Sequence, residues 1–476
     1  MNNIQTAEIT NAQMRTDVLD FVSRSPEKIV VVSAAPGAGK STALLMLAHE
    51  MLGLPGVQRV AIAAQTNNQA NDLGIKYANK FESNKVYRFA SSLTKKPEDY
   101  SGNWVTSSKE IEEPKDCVLI ATAAKWGQAV ASAPDFRVDY VLVDEAFQMT
   151  WSTFVQVSCL GPNYVLIGDA GQIPPVVPVD ASRWDTSKFP PHWPAPETVR
   201  SISEVLGEDK FLEKKLEYCW RLPAESIPYI EPFYERFDLD VRPVAAKEDR
   251  LLHLDSSALP KSKLGEAVGL FCDGRPILLT VADEERGDPI DADLKVAMQV
   301  KDFLSTLLAA QPKYEMKDAR PEERGQHELM LSDIAICSTK RAMNALIENT
   351  IQEVILNYRA TKVKSKDESK PNFGLRVDTP ERLQGLEFKV FLAVHPLSNA
   401  RKPNSFDLET GRLCVMASRH QIALAMFSRE HILHTLEIEL PNSTQAPGLA
   451  DSSGLGHRLH KQFIDALEQD GRVLAI

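Results

Sequence analysis

A short loop near the N-terminus constrains this chain more than any other stretch. Residues 29–32 are apolar and β-branched, the pattern of a strand buried on both faces. Residues 42–52 carry apolar side chains over most of a helical surface. Between them runs Ala34-Ala35-Pro36-Gly37-Ala38-Gly39-Lys40-Ser41. Glycines in such a loop let backbone N–H groups close on an anion, and the following helix adds the positive end of its dipole. Lys40 is placed for the β- and γ-phosphates of a nucleotide, and the Ser41 hydroxyl for a magnesium ion. Pro36, Gly37, Ala38, Gly39 and Thr42 complete the expected cradle. The usual pattern opens with glycine, and Ala34 stands at that position.

Such a loop calls for acidic groups at a nearby strand end. Val141-Leu142-Val143-Asp144-Glu145 supplies them, two adjacent carboxylates where open α/β sheets place their ligands. Asp144 is the expected magnesium ligand. Glu145 is the expected group to orient and deprotonate an attacking water. ATP and Mg2+ are the cofactors this pairing implies.

The organisation of the chain agrees with an α/β class. Strands are expected at 29–32, 60–64, 118–121, 140–143 and 164–167, then at 277–280, 334–337, 390–394 and 423–427, with a long helix over 341–358. Two α/β domains account for the two sets. Residues 174–196 hold seven prolines and read as an irregular crossover. Residues 311–329 and 361–371 are charged and read as surface loops. Lys362, Lys364, Lys366 and Lys370 in the latter are weak candidates for phosphate contact.

Composition narrows the classes. The formal charge of −11 leaves no global basic field, so any polyanion must meet a local groove. No apolar run approaches the roughly 18–20 residues needed to span a bilayer, so no membrane partner is expected. The N-terminal stretch is polar and lacks a signal-peptide core. Six scattered cysteines without a CxxC pair argue against a zinc site or a disulfide framework. The expected location is the cytoplasm. His457 and His460 have an H-x-x-H spacing but no companion ligands, and read as a solvated helix face.

Further motifs carry a family resemblance. Gly168-Asp169-Ala170-Gly171-Gln172-Ile173-Pro174-Pro175 resembles the Gly-Asp-x-x-Gln-Leu-x-Pro element of superfamily 1 helicases. The similarity is greatest to the 1B branch that contains the up-frameshift RNA helicase. Residues 216–223, Leu-Glu-Tyr-Cys-Trp-Arg-Leu-Pro, resemble the Gln-Tyr-Arg-Met segment that opens the second RecA-like domain, with Arg221 keeping the arginine. Residues 378–387 resemble the Thr-x-x-x-x-Gln-Gly-x-Glu element, and residues 412–419 the Arg-Leu-Asn-Val-Ala-Leu-Thr-Arg element. Residues 333–342 resemble Thr-Pro-Tyr-Arg-Ala-Gln, without its proline and glutamine.

The resemblance implies two RecA-like P-loop NTPase domains in tandem, with parallel sheets. The first is expected over 1–205, with 74–116 as a candidate small insertion of basic and aromatic residues, and the second over 206–476. Met1 to Ser33 is too short for an accessory barrel, so none is expected there. Gln172 is implied as the γ-phosphate sensor, Arg221 and Arg419 as arginine fingers, and Gln13 as an adenine reader. Gly385 and Glu387 are implied as nucleotide-binding residues. Thr66, Asn67, Thr122, Ser338, Arg341 and Thr379 are implied contacts to single-stranded DNA or RNA. Thr66 and Asn67 also suit plain helix capping. The implied activity is ATP-dependent helicase or translocase action with 5′–3′ movement. A nucleotide-switched clamp without unwinding is the alternative.

Overall fold

The apolar runs of the sequence become parallel strands because helices cover both of their faces. The computed structural model describes residues 3–177, 181–184, 186–283, 291–319, 323–361, 374–400, 402–438 and 452–476. The chain forms two compact units, Met1–Ala170 with Pro174–Glu217, and Gly171–Ile173 with Tyr218–Ile476. Each is a RecA-like α/β unit, as expected, and the two follow one another along the chain.

The first unit is built on Ile29–Ala34 (β1), Arg59–Ala64 (β2), Val86–Phe89 (β3), Asn103–Val105 (β4), Cys117–Thr122 (β5), Tyr140–Val143 (β6), Asn163–Asp169 (β7) and Phe211–Leu216 (β8). Among the described residues they form one parallel sheet in the order β4-β3-β5-β2-β6-β7-β1-β8. Strand β7 lies between the phosphate-loop strand and the acidic strand, and Ala34 pairs in register with Asp169. The loop, Asp144-Glu145 and Asp169 therefore share the C-terminal end of neighbouring strands. Residues Val30, Val31 and Val32 are fully buried.

Two expectations change here. The first unit ends at Glu217 and not at 205, because Phe211–Leu216 pairs in parallel with β1. Its Glu-Lys-Lys centre hid it: an edge strand keeps part of its surface in water and tolerates charge. Nor is 74–116 a separate insertion. Strand β3 pairs with β5 and β4 with β3, so the segment extends the sheet, and Arg88 and Phe89 are fully buried.

The second unit opens with Tyr218–Cys219 (β9), which pairs with Arg242–Pro243 (β10). Arg250–His253 (β11), Lys313–Met316 (β13) and Gln326–Glu328 (β14) form a small antiparallel sheet. The main sheet is parallel and comprises Ile277–Val281 (β12), Ile334–Cys337 (β15), Arg376–Asp378 (β16), Phe388–Val394 (β17), His420–Arg429 (β18) and Val473–Ala475 (β19). Their order is β16-β15-β17-β18-β12-β19. Its core is apolar, with Phe303 edge-on to both Phe271 and Phe427.

Within 311–329, expected as a surface loop, Lys313–Met316 and Gln326–Glu328 pair as antiparallel strands, with Lys313 and Glu328 exposed and the Asp318 side chain buried against Arg250. The helix expected over 341–358 is two helices, Arg341–Thr350 and Gln352–Thr361. Residues 362–370, with their four lysines, lie outside the described residues.

Candidate functional site

Gly37 and Gly39 adopt φ of 63° and 77°, left-handed conformations that let the loop fold back over the start of the helix Lys40–Leu52. The Lys40 ammonium is buried and stands 3.7 Å from Glu145 Oε1 and 3.8 Å from Asp169 Oδ2. Two carboxylates therefore hold the amine at the mouth of the loop without a close ion pair. Glu145 itself has φ of 49°, an uncommon left-handed position for a non-glycine residue, where strain is tolerated at functional sites.

Asp144 is 4% exposed, and its Oδ1 has no hydrogen-bond partner among the described residues. Burial, reinforced by the charge of Glu145 and opposed by Lys40, pushes its carboxyl up to about 7. A buried carboxylate oxygen with no donor is costly unless a cation is its partner. Asp144 together with the Ser41 hydroxyl fits a magnesium ion, which takes few protein ligands and fills its shell with phosphate and water. Among the described residues no cluster of three or more His, Cys, Asp or Glu is arranged to hold a metal on its own.

A second charged constellation lies in the second unit. Arg221 is buried and donates from Nε to Glu387 Oε1 at 2.9 Å and from Nη1 to the Ser418 carbonyl at 3.0 Å. Gln421 donates to the other oxygen, Glu387 Oε2, at 2.9 Å. Burial opposes the Glu387 charge, but Arg221, Gln421 and Arg419 outweigh it and hold the carboxyl below the usual carboxylate range. Arg419 is 1% exposed and donates from Nη1 to the Leu386 carbonyl at 3.5 Å. Gly385, with φ of 82°, turns the chain between these groups. Arg221, Glu387 and Arg419 thus gather where β17 and β18 begin.

Gln172 was expected beside the first-unit groups, yet Gly171–Ile173 packs as part of the second unit. The Gln172 Oε1 accepts from Gln384 Nε2 at 3.0 Å. A Cβ on Gly411 would come within 2.5 Å of the Ile173 nitrogen, so the tripeptide rests directly on that glycine. Gln13 lies on the helix Asn3–Ser23, exposed, donating to Asp17 at 2.8 Å.

The expected nucleic-acid contacts divide into open and closed groups. Thr66 caps the helix Asn67–Lys80 in a capping box with Gln69, and Thr122 caps the helix Ala123–Ser132. Ala64 pairs with Thr122, so both caps stand at the same C-terminal end of the strands. Asn67 Oδ1 accepts from buried Arg88 at 2.8 Å, which ties its carbonyl to the fold. Arg341 is exposed at the start of its helix. Ser338 and Thr379 are buried, and the Ser338 hydroxyl accepts from the Lys340 nitrogen at 3.2 Å. Both side chains are shielded from solvent in this arrangement.

His457 and His460 do not lie on a solvated face: both are buried, and His460 Nδ1 lies 3.4 Å from His395 Nε2. Local sequence pattern missed this burial because His395 is distant in sequence. It also missed Phe406, a partly exposed ring with Lys340 Nζ 4.5 Å and the Arg412 guanidinium 3.9 Å from its centre. Lys402 and Arg412, within six residues of Phe406 in the sequence, were the available signal. Arg250 was missed entirely.

Residues 20–178, about a third of the chain, match a family model described as an AAA domain. No curated protein matches the sequence significantly. Among solved structures, the Arterivirus nonstructural protein 10 helicase is 12% identical, with 87% of this chain and 62% of that chain covered at a TM-score of 0.39. The same protein in complex with DNA is 13% identical, covering 87% and 63% at a TM-score of 0.40. The Pyrococcus furiosus Hef helicase domain is 11% identical, covering 89% and 95% at a TM-score of 0.36. The chain spans a little over three-fifths of the length of the arterivirus protein. No described helix is long and apolar enough to cross a membrane.

Proposed function

We propose that the chain is an ATP-dependent helicase or translocase of superfamily 1, of the up-frameshift-like 1B branch, moving 5′ to 3′ along single-stranded DNA or RNA in a cytoplasmic setting. The observation that carries this reading is the first-unit site: a glycine-rich loop, the Lys40 amine held between Glu145 and Asp169, and the buried Asp144 oxygen that lacks a donor.

Ser41 and Asp144 would hold magnesium, which when bound neutralises charge on phosphate oxygens. In this reading Lys40 binds the β- and γ-phosphates, with Pro36, Gly37, Ala38, Gly39 and Thr42 around them. Glu145 orients the attacking water and takes its proton, and Gln172 senses the γ-phosphate. Arg221 and Arg419 offset the charge that builds on the transferring group, an effect worth about 10³–10⁵ in rate for an arginine finger. Gln13 reads the base, and Gly385 and Glu387 support the nucleotide. Thr66, Asn67, Thr122, Arg341 and, after a rearrangement, Ser338 and Thr379 grip the strand backbone. Phe406 is the candidate stacking surface for a base.

The polarity rests on the resemblance of the Gly168–Pro175 and Tyr218–Pro223 segments to that branch alone. The test is displacement of streptavidin from oligonucleotides biotinylated at one end, at fixed salt. Faster ATP-dependent release from the 3′ end is expected. Faster release from the 5′ end overturns the polarity, and no release from either end favours the clamp.

A further inference from the structure

A buried ion pair beneath the arginine cluster has no role in the reading above. Arg250 on β11 is 2% exposed and lies against Asp318, just beyond β13, with Nε donating to Oδ1 at 3.0 Å and Nη2 to Oδ2 at 2.6 Å. Two strands of the small antiparallel sheet bring these partners together.

The remaining donors all reach backbone. Nη2 donates to the Trp220 carbonyl at 2.6 Å, and Nη1 to the Arg221 carbonyl and, at 3.5 Å, to the Gln421 carbonyl. The side chains of Arg221 and Gln421 are the ones that grip the two oxygens of Glu387. One guanidinium thus fastens the backbone of both residues that hold that carboxylate.

Stability alone does not explain the arrangement. Burying an Arg–Asp pair carries a desolvation penalty, and an apolar replacement of similar volume is often neutral or better. A planar fork that reaches several acceptors at fixed angles supplies what an apolar pair lacks, namely orientation.

We propose that Arg250, anchored by Asp318, is a positioning residue that sets where the Arg221 guanidinium stands. The proposal rests on the assignment of Arg221 to phosphoryl transfer. Arg250 does not reach the Arg221 side chain. It acts through the main chain at residues 220, 221 and 421.

The test is a double-mutant cycle on the full chain, reading ATP turnover with magnesium and a single-stranded oligonucleotide, together with nucleotide affinity and thermal melting. Arg250→Lys keeps the charge beside Asp318 but loses the fork. It is expected to lower kcat about tenfold, below the roughly hundredfold that a displacement of 1 Å can cost. Nucleotide affinity should stay within about twofold, because uniform binding is untouched. In an Arg221→Ala background the same substitution should change kcat by less than about twofold, since residues that act as a unit are non-additive.

Wild-type kcat in folded Arg250→Lys overturns the positioning role, and so does an undiminished effect in the Arg221→Ala background. Wild-type turnover in Arg221→Ala alone instead removes the phosphoryl-transfer assignment, and the positioning role falls with it. Should Arg250→Lys fail to fold, Asp318→Asn leaves Arg250 present but weakly anchored, and the same cycle decides.

Discussion

The two charged sites deal with burial in opposite ways. In the first unit, a carboxylate oxygen of Asp144 is buried without a donor, and Lys40 sits at 3.7 and 3.8 Å from its acidic neighbours. In the second unit, both oxygens of Glu387 accept hydrogen bonds, and Arg250 engages a carboxylate and three carbonyls. One site is left incomplete by the protein's own atoms, which suits an ion and a phosphate chain arriving from outside. In the other, the Glu387 carboxylate and the Arg250 guanidinium are engaged by the protein's own groups, which suits groups that must keep their geometry whether or not a ligand is bound.

Breaking the incomplete site should have the largest consequence. Lys40→Ala removes the loop's own cation at the phosphates and is expected to lower ATP turnover by about 10³-fold or more, the scale of losing a cationic clamp in phosphoryl transfer. Wild-type turnover in the purified variant would remove the site assignment.

Breaking the second-unit cluster should separate chemistry from binding. Arg221→Ala and Arg419→Ala are each expected to cut kcat by about 10³-fold with nucleotide affinity changed only a few-fold. If either instead raises KM at constant kcat, that arginine binds ground-state substrate and is no finger.

The legible parts of the fold were those written in local chemistry. The strands at 29–32, 140–143 and 334–337 are unbroken apolar runs, and the phosphate loop joins glycine, lysine and serine within one turn. What escaped depends on distant partners. Strand β8 is charged because it lies at an edge, and β13 and β14 are strands because β13 pairs with β11 on one side and β14 on the other. Gln172 follows a first-unit strand yet packs on Gly411. Among site residues, Lys40, Asp144 and Glu145 come together as their spacing implied. Arg250 escaped because nothing in its neighbouring sequence marks it. Its partners lie 29, 68 and 171 residues away.

A smaller effect sharpens the contrast from the stability side. His395 and His420, in the second unit, are held down to about 3 by burial, and His460 lies well below its ordinary value for the same reason. Their neutral form is the folded one, so the unfolded chain binds more protons below 6.5, the unfolded value. Their stabilisation is full above pH 6.5 and is lost as the pH falls toward about 3, at up to about 1 kcal/mol per pH unit per histidine. Melting curves between pH 7 and 4 should show this slope, and His460→Gln should flatten it. An unchanged slope in that variant would mean that His460 is already charged in the folded protein.

The most direct test of the central claim, that the first-unit site hydrolyses nucleotide in the service of a nucleic-acid strand, is steady-state ATP hydrolysis by the wild-type protein with magnesium. It is measured with and without a saturating single-stranded oligonucleotide, with Glu145→Gln as control. The predicted result is strong stimulation by the strand, with Glu145→Gln binding nucleotide normally and hydrolysing none in either condition. Turnover indifferent to the strand, or retained in Glu145→Gln, would contradict it.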